Sequence, residues 1–287
     1  MTRARRSIHF EGLGGVRLAA EAWGDAAAPP VVLLHGGGQT RHAWRGTAEA
    51  LAREGWHALA VDQRGHGESE WPADGDYGFE AFAADAERVA RACAAPPVLV
   101  GASLGGIASL LAIAEAKAPA RALVLVDVAA RMEPQGVLRI VEFMTARPEG
   151  FASLDEAAGA IASYLPHRRR PSDLGGLAKN LRRGEDGRWR WHWDPRFMRG
   201  RAPRSLAAGM PDRLHEAARA LRLPTLLVRG RLSDLLSEEG AREFLELVPH
   251  ARFADVSQAG HMVAGDRNDL FTDAVVRFLR DELRDEP

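Results

Sequence analysis

Residues Pro97-Val98-Leu99-Val100-Gly101-Ala102-Ser103-Leu104-Gly105-Gly106-Ile107-Ala108-Ser109-Leu110-Leu111-Ala112 carry the reading on which the rest of the chain depends. A four-residue apolar run enters G-x-S-x-G, and a helical run leaves it, which predicts a buried strand, a sharp turn and a helix. Gly101 and Gly105 lack the Cβ atoms that would collide in so tight a turn, so Ser103 is expected to stand with its hydroxyl above a sheet edge.

Outward from this turn, short β-type runs alternate with helical stretches. The strands are expected at Ser7–Leu13, Val16–Trp23, Val31–His35, His57–Asp62, Pro97–Gly101, Arg121–Val128, Thr225–Gly230 and Arg252–Ser257. From the third strand the runs (VVLLH, HALAVD, VLVG, ALVLVDV, TLLVRG) are nearly all apolar, which suits strands covered on both faces of a parallel sheet. Helical windows lie between them at His42–Glu54, Phe79–Ala94, Leu104–Lys117, Ser237–Val248 and Asn268–Leu283. The fold expected is α/β, an eight-stranded, mostly parallel sheet with helices on both faces. Residues 129–223 are far longer than the roughly 10–30 residues that a crossover needs. They are expected to hold a mainly helical cap, with 1–128 and 224–287 forming the core domain.

A serine hydroxyl needs a base, and the base needs an orienting acid. Gly260-His261-Met262 follows the eighth strand, and Gly230-Arg231-Leu232-Ser233-Asp234 follows the seventh, so His261 and Asp234 both stand where open α/β sheets build their sites. Asp127, at the end of the sixth strand, is the rival acid. His35-Gly36-Gly37-Gly38 closes the third strand, where glycine lets a backbone N–H approach an oxyanion; Gly37 is the expected donor, with Gly38 as alternative, and the N–H of Leu104 is the second. Asp62-Gln63-Arg64-Gly65-His66-Gly67-Glu68-Ser69 reads as a rigid turn. In the cap, Trp189, Trp191 and Trp193 alternate with polar residues, so in an extended segment the three indoles share one face. That face either lines an apolar substrate pocket, together with Gly38 and Met262, or anchors the cap. The basic run His167–Arg170 reads as a solvated face.

HGGG at His35, DQRGHGES at Asp62, GASLGG at Gly101 and AGHMVAGDRND at Ala259 stand in an order and spacing that resemble the α/β-hydrolase family, serine-nucleophile subgroup with a helical cap, over essentially the whole chain. The resemblance implies a triad of Ser103, His261 and Asp234. The loop after the seventh strand is the commoner source of the acid in that family, which sets Asp234 before Asp127. It further implies a carboxylic ester hydrolase acting on small to medium esters with an apolar acyl part. Lactonase, carbon–carbon bond hydrolase and perhydrolase activities share the triad, and a ligand-sensing protein of the same fold is the non-enzymatic alternative. Aspartate-nucleophile relatives are disfavoured by Ser103.

Composition narrows the classes further. The chain has 287 residues, with 38 Lys plus Arg against 39 Asp plus Glu and a net charge of −1, which argues against a nucleic-acid partner held by bulk charge. A single cysteine, Cys93, excludes an internal disulfide and a thiolate-cluster metal site. The ten histidines show no metal-ligand spacing, so no metal and no other cofactor is expected. No apolar run approaches the roughly 18 residues of a membrane span, and the expected setting is the cytoplasm, as a monomer or homodimer with a small-molecule ester or lactone substrate.

Overall fold

The computed structural model describes residues 5–164, 174–199, 209–257, 259–261 and 268–283. Eight strands, β1 (Arg6–Glu11), β2 (Arg17–Trp23), β3 (Pro30–Leu34), β4 (His57–Val61), β5 (Val98–Ala102), β6 (Ala122–Val126), β9 (Thr225–Gly230) and β10 (Arg252–Val256), form one sheet in the order β1-β2-β4-β3-β5-β6-β9-β10. The first two pairings, β1 with β2 and β2 with β4, are antiparallel, and every later one is parallel. The expected sheet is therefore the observed one, with strand ends moved by one or two residues. β3, β6 and β9 are buried along their whole length, as all-apolar runs require.

Period-two alternation sorts the strand side chains onto two cores. Val31, Leu33, Ala58, Ala60, Val98, Val100, Val124, Val126 and Val228 point to one face, covered by α1 (Arg45–Arg53) and the C-terminal helix, here α9 (Asn268–Leu283). Val32, Leu34, Leu59, Val61, Leu99, Leu123, Leu125 and Leu227 point to the other, under α2 (Phe79–Arg91), α3 (Leu104–Ala114) and α8 (Glu238–Leu247). Each of these valines and leucines contributes about 1.5–3 kcal/mol by leaving water.

Between β6 and β9 lie α4 (Pro134–Thr145), α5 (Leu154–Tyr164), the single-turn α6 (Gly175–Ala178), the hairpin β7 (Leu181–Arg183)–β8 (Trp189–Trp191) and α7 (Met210–Arg219). α7 packs on α3, with Leu214, Ala217 and Ala218 in the main core, so it is the crossover helix into β9, and its first turns, Met210, Pro211 and Leu214, also line the cavity described below. α4 is an addition to the expected helices, encoded by Pro134 at its first turn and by the spacing of Val137, Leu138, Ile140, Val141 and Met144.

Candidate active site

Ser103 sits between β5 and α3 with φ 47° and ψ −112°, a left-handed conformation that costs a non-glycine residue roughly 1–3 kcal/mol. Packing holds it there. Ser103 N–H donates to the Val126 carbonyl at 3.1 Å, and its own carbonyl accepts from Ile107 at 3.0 Å, while a Cβ at Gly105 would lie 2.3 Å from the Leu34 carbonyl oxygen and one at Gly101 2.3 Å from that of Gly105. The helix can approach the sheet this closely only because both positions are glycine.

His261 follows β10, is 13% exposed in its side chain, and lines the same cavity as Ser103. Its Nδ1–H donates to Asp127 Oδ2 at 2.7 Å, which leaves Nε2 as the basic nitrogen. Asp127 is fully buried directly beyond β6, with φ 52°, and its carboxylate also accepts from Gly230 N–H at 3.0 Å and Ser233 Oγ–H at 2.5 Å. The expectation that Asp234 orients the histidine is thereby corrected. Asp234 is 38% exposed and pairs with Arg139 of α4 at 2.6 Å. β6 and β9 are sheet neighbours, so both acids come to the same edge; the loop after β9 turns Ser233 inward and Asp234 outward, and Ser233 becomes a donor to the acid instead of supplying one. Among the described residues the Asp127 carboxylate accepts only from Gly230, Ser233 and His261.

The glycine loop after β3 lies against the elbow, since a Cβ at Gly36 would stand 3.5 Å from that of Ser103. Gly38 N–H is committed to His66 Nε2 at 3.1 Å, whereas Gly37 N–H has no acceptor among the described residues. Leu104 opens α3, so its N–H has no carbonyl a turn earlier to bond. Gly37 and Leu104 both line the cavity with Ser103. The loop is braced from behind by three imidazoles. His35 accepts Gln63 N–H at 3.0 Å, His66 donates to the Arg64 carbonyl at 2.9 Å, and His192, directly after β8, accepts Gly67 N–H at 2.7 Å and donates to the Gly38 carbonyl at 3.3 Å. Burial pushes the pKa of His35 down and that of His192 to about 4, so both brace as neutral rings. The Asp62 turn is structural scaffolding: its buried carboxylate accepts from Arg41 N–H at 2.6 Å and Glu68 N–H at 2.9 Å and pairs with the Arg41 guanidinium.

Above the elbow is a cavity of about 790 Å³. Phe143 stacks on Tyr164 at 4.2 Å between centroids, and Trp191 stacks on Trp193 at 4.9 Å, all four lining it. Trp189 does not line it; it packs with Phe151 and Leu177 under the Arg183 guanidinium. The three indoles therefore divide between the two expected roles, with Trp191 and Trp193 on the cavity and Trp189 anchoring the hairpin on Phe151. The stretch after β8 is tied down by Asp194, which bonds the Gly65 carbonyl through its N–H at 2.9 Å and accepts from Tyr77 Oη at 2.7 Å. Val137, Ile140, Phe143 and Met144 of α4 were not expected in the wall, although their helical spacing was available in the sequence. Met262 and the run His167–Arg170 lie outside the described residues. Among the described residues no cluster of potential ligands could hold a metal, and no helix is long and apolar enough to cross a membrane.

A family model for the alpha/beta hydrolase fold matches residues 29–267, and the chain belongs to that family. It is 33% identical over 264 residues to the esterase Rv0045c of Mycobacterium tuberculosis, covering 87% of this chain and 82% of that protein. It is 31% identical over 259 residues to a 3-hydroxybutyrate-oligomer hydrolase of Cupriavidus necator, covering 85% of this chain and 87% of the relative. The crystal structure of the mycobacterial esterase superposes with a TM-score of 0.70 at 30% identity, over 97% of this chain and 90% of that one. That of an E-2-(acetamidomethylene)succinate hydrolase superposes with a TM-score of 0.82 over 96% and 99%, a likeness of fold at 22% identity.

Proposed function

We propose that ester hydrolysis in this protein runs through Ser103, His261 and Asp127. At 31–33% identity to named ester hydrolases over most of its length, the chain is an enzyme of the carboxylic ester hydrolase class. The observation that carries the mechanism is the hydrogen bond from His261 Nδ1 to the buried Asp127 carboxylate, in the cavity that Ser103 also lines. His261 Nε2 takes the Ser103 proton as Oγ adds to the ester carbonyl, and Asp127 holds the ring and stabilises the imidazolium that forms. The oxyanion accepts hydrogen bonds from Leu104 and Gly37 N–H. Collapse passes the histidine's proton to the departing alcohol. Water, deprotonated by the same nitrogen, then adds to the acyl-enzyme, and the acid leaves as Ser103 regains its proton. A cavity of about 790 Å³ walled by aromatic and branched side chains supports a small to medium apolar group on the substrate.

The test is turnover of p-nitrophenyl butyrate with covalent labelling by a phosphonofluoridate. Ser103→Ala is expected to lose about 10³-fold or more in kcat and all labelling. Retention of wild-type turnover by that variant overturns the mechanism.

A further inference from the structure

The cavity wall is chemically two-sided. One contiguous set of side chains is aromatic and aliphatic: Phe143 stacks on Tyr164 and meets Trp191, which stacks on Trp193. The other set gathers around the 3₁₀ turn after the glycine loop. Thr40 Oγ donates to Asn180 Oδ1 at 3.3 Å, bringing the Lys179–Asn180 segment against that turn, and Arg5 reaches Glu21, which also pairs with Arg41, at 3.6 Å. Arg5, His42, Arg45 and Lys179 thus belong to one rim, and among the described residues that line the cavity there is no aspartate or glutamate.

The charges on this rim are unevenly matched. Arg5 shares Glu21, and Arg45 pairs with Glu49 at 2.9 Å, both carboxylates standing outside the lining. Lys179 is exposed and has no acidic partner among the described residues. His42, its pKa lowered by burial, is neutral at neutral pH and adds no charge to the rim. Cations at the mouth of an apolar cavity without carboxylates in its wall focus a positive potential on whatever enters. A neutral ester draws nothing from that field, whereas an anion gains in encounter and in binding.

We propose that the substrate is an amphiphilic, singly anionic ester whose apolar part lies on the aromatic wall and whose free carboxylate, remote from the scissile bond, lies against Lys179 with Arg45 and Arg5. The inference rests on the ester reading of Ser103 and deepens it. It assigns a carboxylate site to residues outside the proposed triad and oxyanion donors.

Two matched pairs of esters test it, one with the charge in the alcohol half and one with it in the acyl half. These are 4-(butanoyloxy)benzoate against the uncharged 4-(butanoyloxy)benzamide, and p-nitrophenyl hydrogen adipate against its uncharged adipamate twin. At low salt, about 20 mM, the anionic member of one pair is expected to have kcat/KM about tenfold above its twin, mainly through KM, with the advantage largely gone near 0.5 M NaCl. Lys179→Glu should lower that ratio by about three- to fivefold, and Lys179→Arg should keep it. A ratio below about threefold in both pairs, or a ratio that Lys179→Glu leaves unmoved, overturns the inference while leaving the ester reading in place. If none of the four esters is turned over, the ester reading fails and takes the inference with it.

Discussion

A carboxylate that accepts three hydrogen bonds inside a protein cannot swing to follow its histidine, so the imidazole is oriented by a rigid acceptor. Asp127 has this role: Gly230 and Ser233 hold the group, and His261 binds the oxygen it shares with Ser233. Asp127→Asn, which cannot accept at both oxygens and favours the wrong tautomer, is expected to lower kcat on p-nitrophenyl butyrate by about 10³–10⁴-fold with the fold retained by circular dichroism. Asp234→Asn removes only the half-exposed pair with Arg139, and its kcat should stay within about threefold of the parent. The opposite ranking of these two variants would return the acid role to the loop after β9. Ser103 and His261 are legible at this scale because strand ends and glycines mark them, whereas the choice between two acids at one sheet edge turns on which residue of a short loop faces inward. Cys93 stays outside the chemistry; burial raises its thiol pKa to about 11, which leaves it a weak nucleophile.

At the scale of elements, the β7–β8 hairpin and the turn after it do more than roof the cavity. His192 reaches from this segment to Gly67 N–H and to the Gly38 carbonyl, one residue from the proposed oxyanion donor. His192→Ala should free the glycine loop and lower kcat on p-nitrophenyl butyrate by about 10-fold or more, with KM changed less, because the bond to the oxyanion forms only in the transition state. An equal rise in KM with unchanged kcat would assign the residue to substrate binding instead. The same ring makes stability depend on pH. Its folded pKa, about 4, lies below the ordinary 6.5, so below pH 6.5 the unfolded chain takes up a proton that the folded chain refuses. Its contribution is complete above pH 6.5 and is lost as pH falls toward 4, by about 3 kcal/mol across the window. Urea midpoints at pH 7 and pH 5 should therefore converge in His192→Gln relative to the parent, and parallel profiles in the two proteins would contradict the assignment. None of this was readable from the Trp-rich stretch, where alternation alone set the indoles on one face and said nothing of a histidine between them.

Across the whole molecule, the N-terminal strands are tied to the sheet's main core by Arg64. Its guanidinium makes 2.6 and 2.7 Å bonds to Asp85 of α2 and reaches the Leu13 carbonyl at 3.2 Å, all but sealed from water. Arg64→Ala leaves Asp85 buried with half its partners, and is expected to cost about 3–5 kcal/mol in urea unfolding at pH 7. A loss under about 1 kcal/mol would show that water replaces the guanidinium. At this scale, too, the long segment between β6 and β9 resolves into two parts. Among its described residues, α4, α5, α6 and β8 contribute side chains to the cavity over the elbow, and the last helix, α7, is the crossover that the sheet needs before β9 can lie parallel to β6.

By itself the sequence determined the sheet, its strand count, the elbow at Ser103 and the position of His261, because period-two burial, buried apolar runs and close-packed glycines are local requirements that each residue meets without reference to distant ones. The tertiary structure alone decided which acid meets the histidine, which indoles line the cavity, and which cations share its rim. Such pairings join distant stretches of the chain, as His261 and Asp127 do across 134 positions, and their outcome depends on strand register and loop direction, which no local pattern encodes.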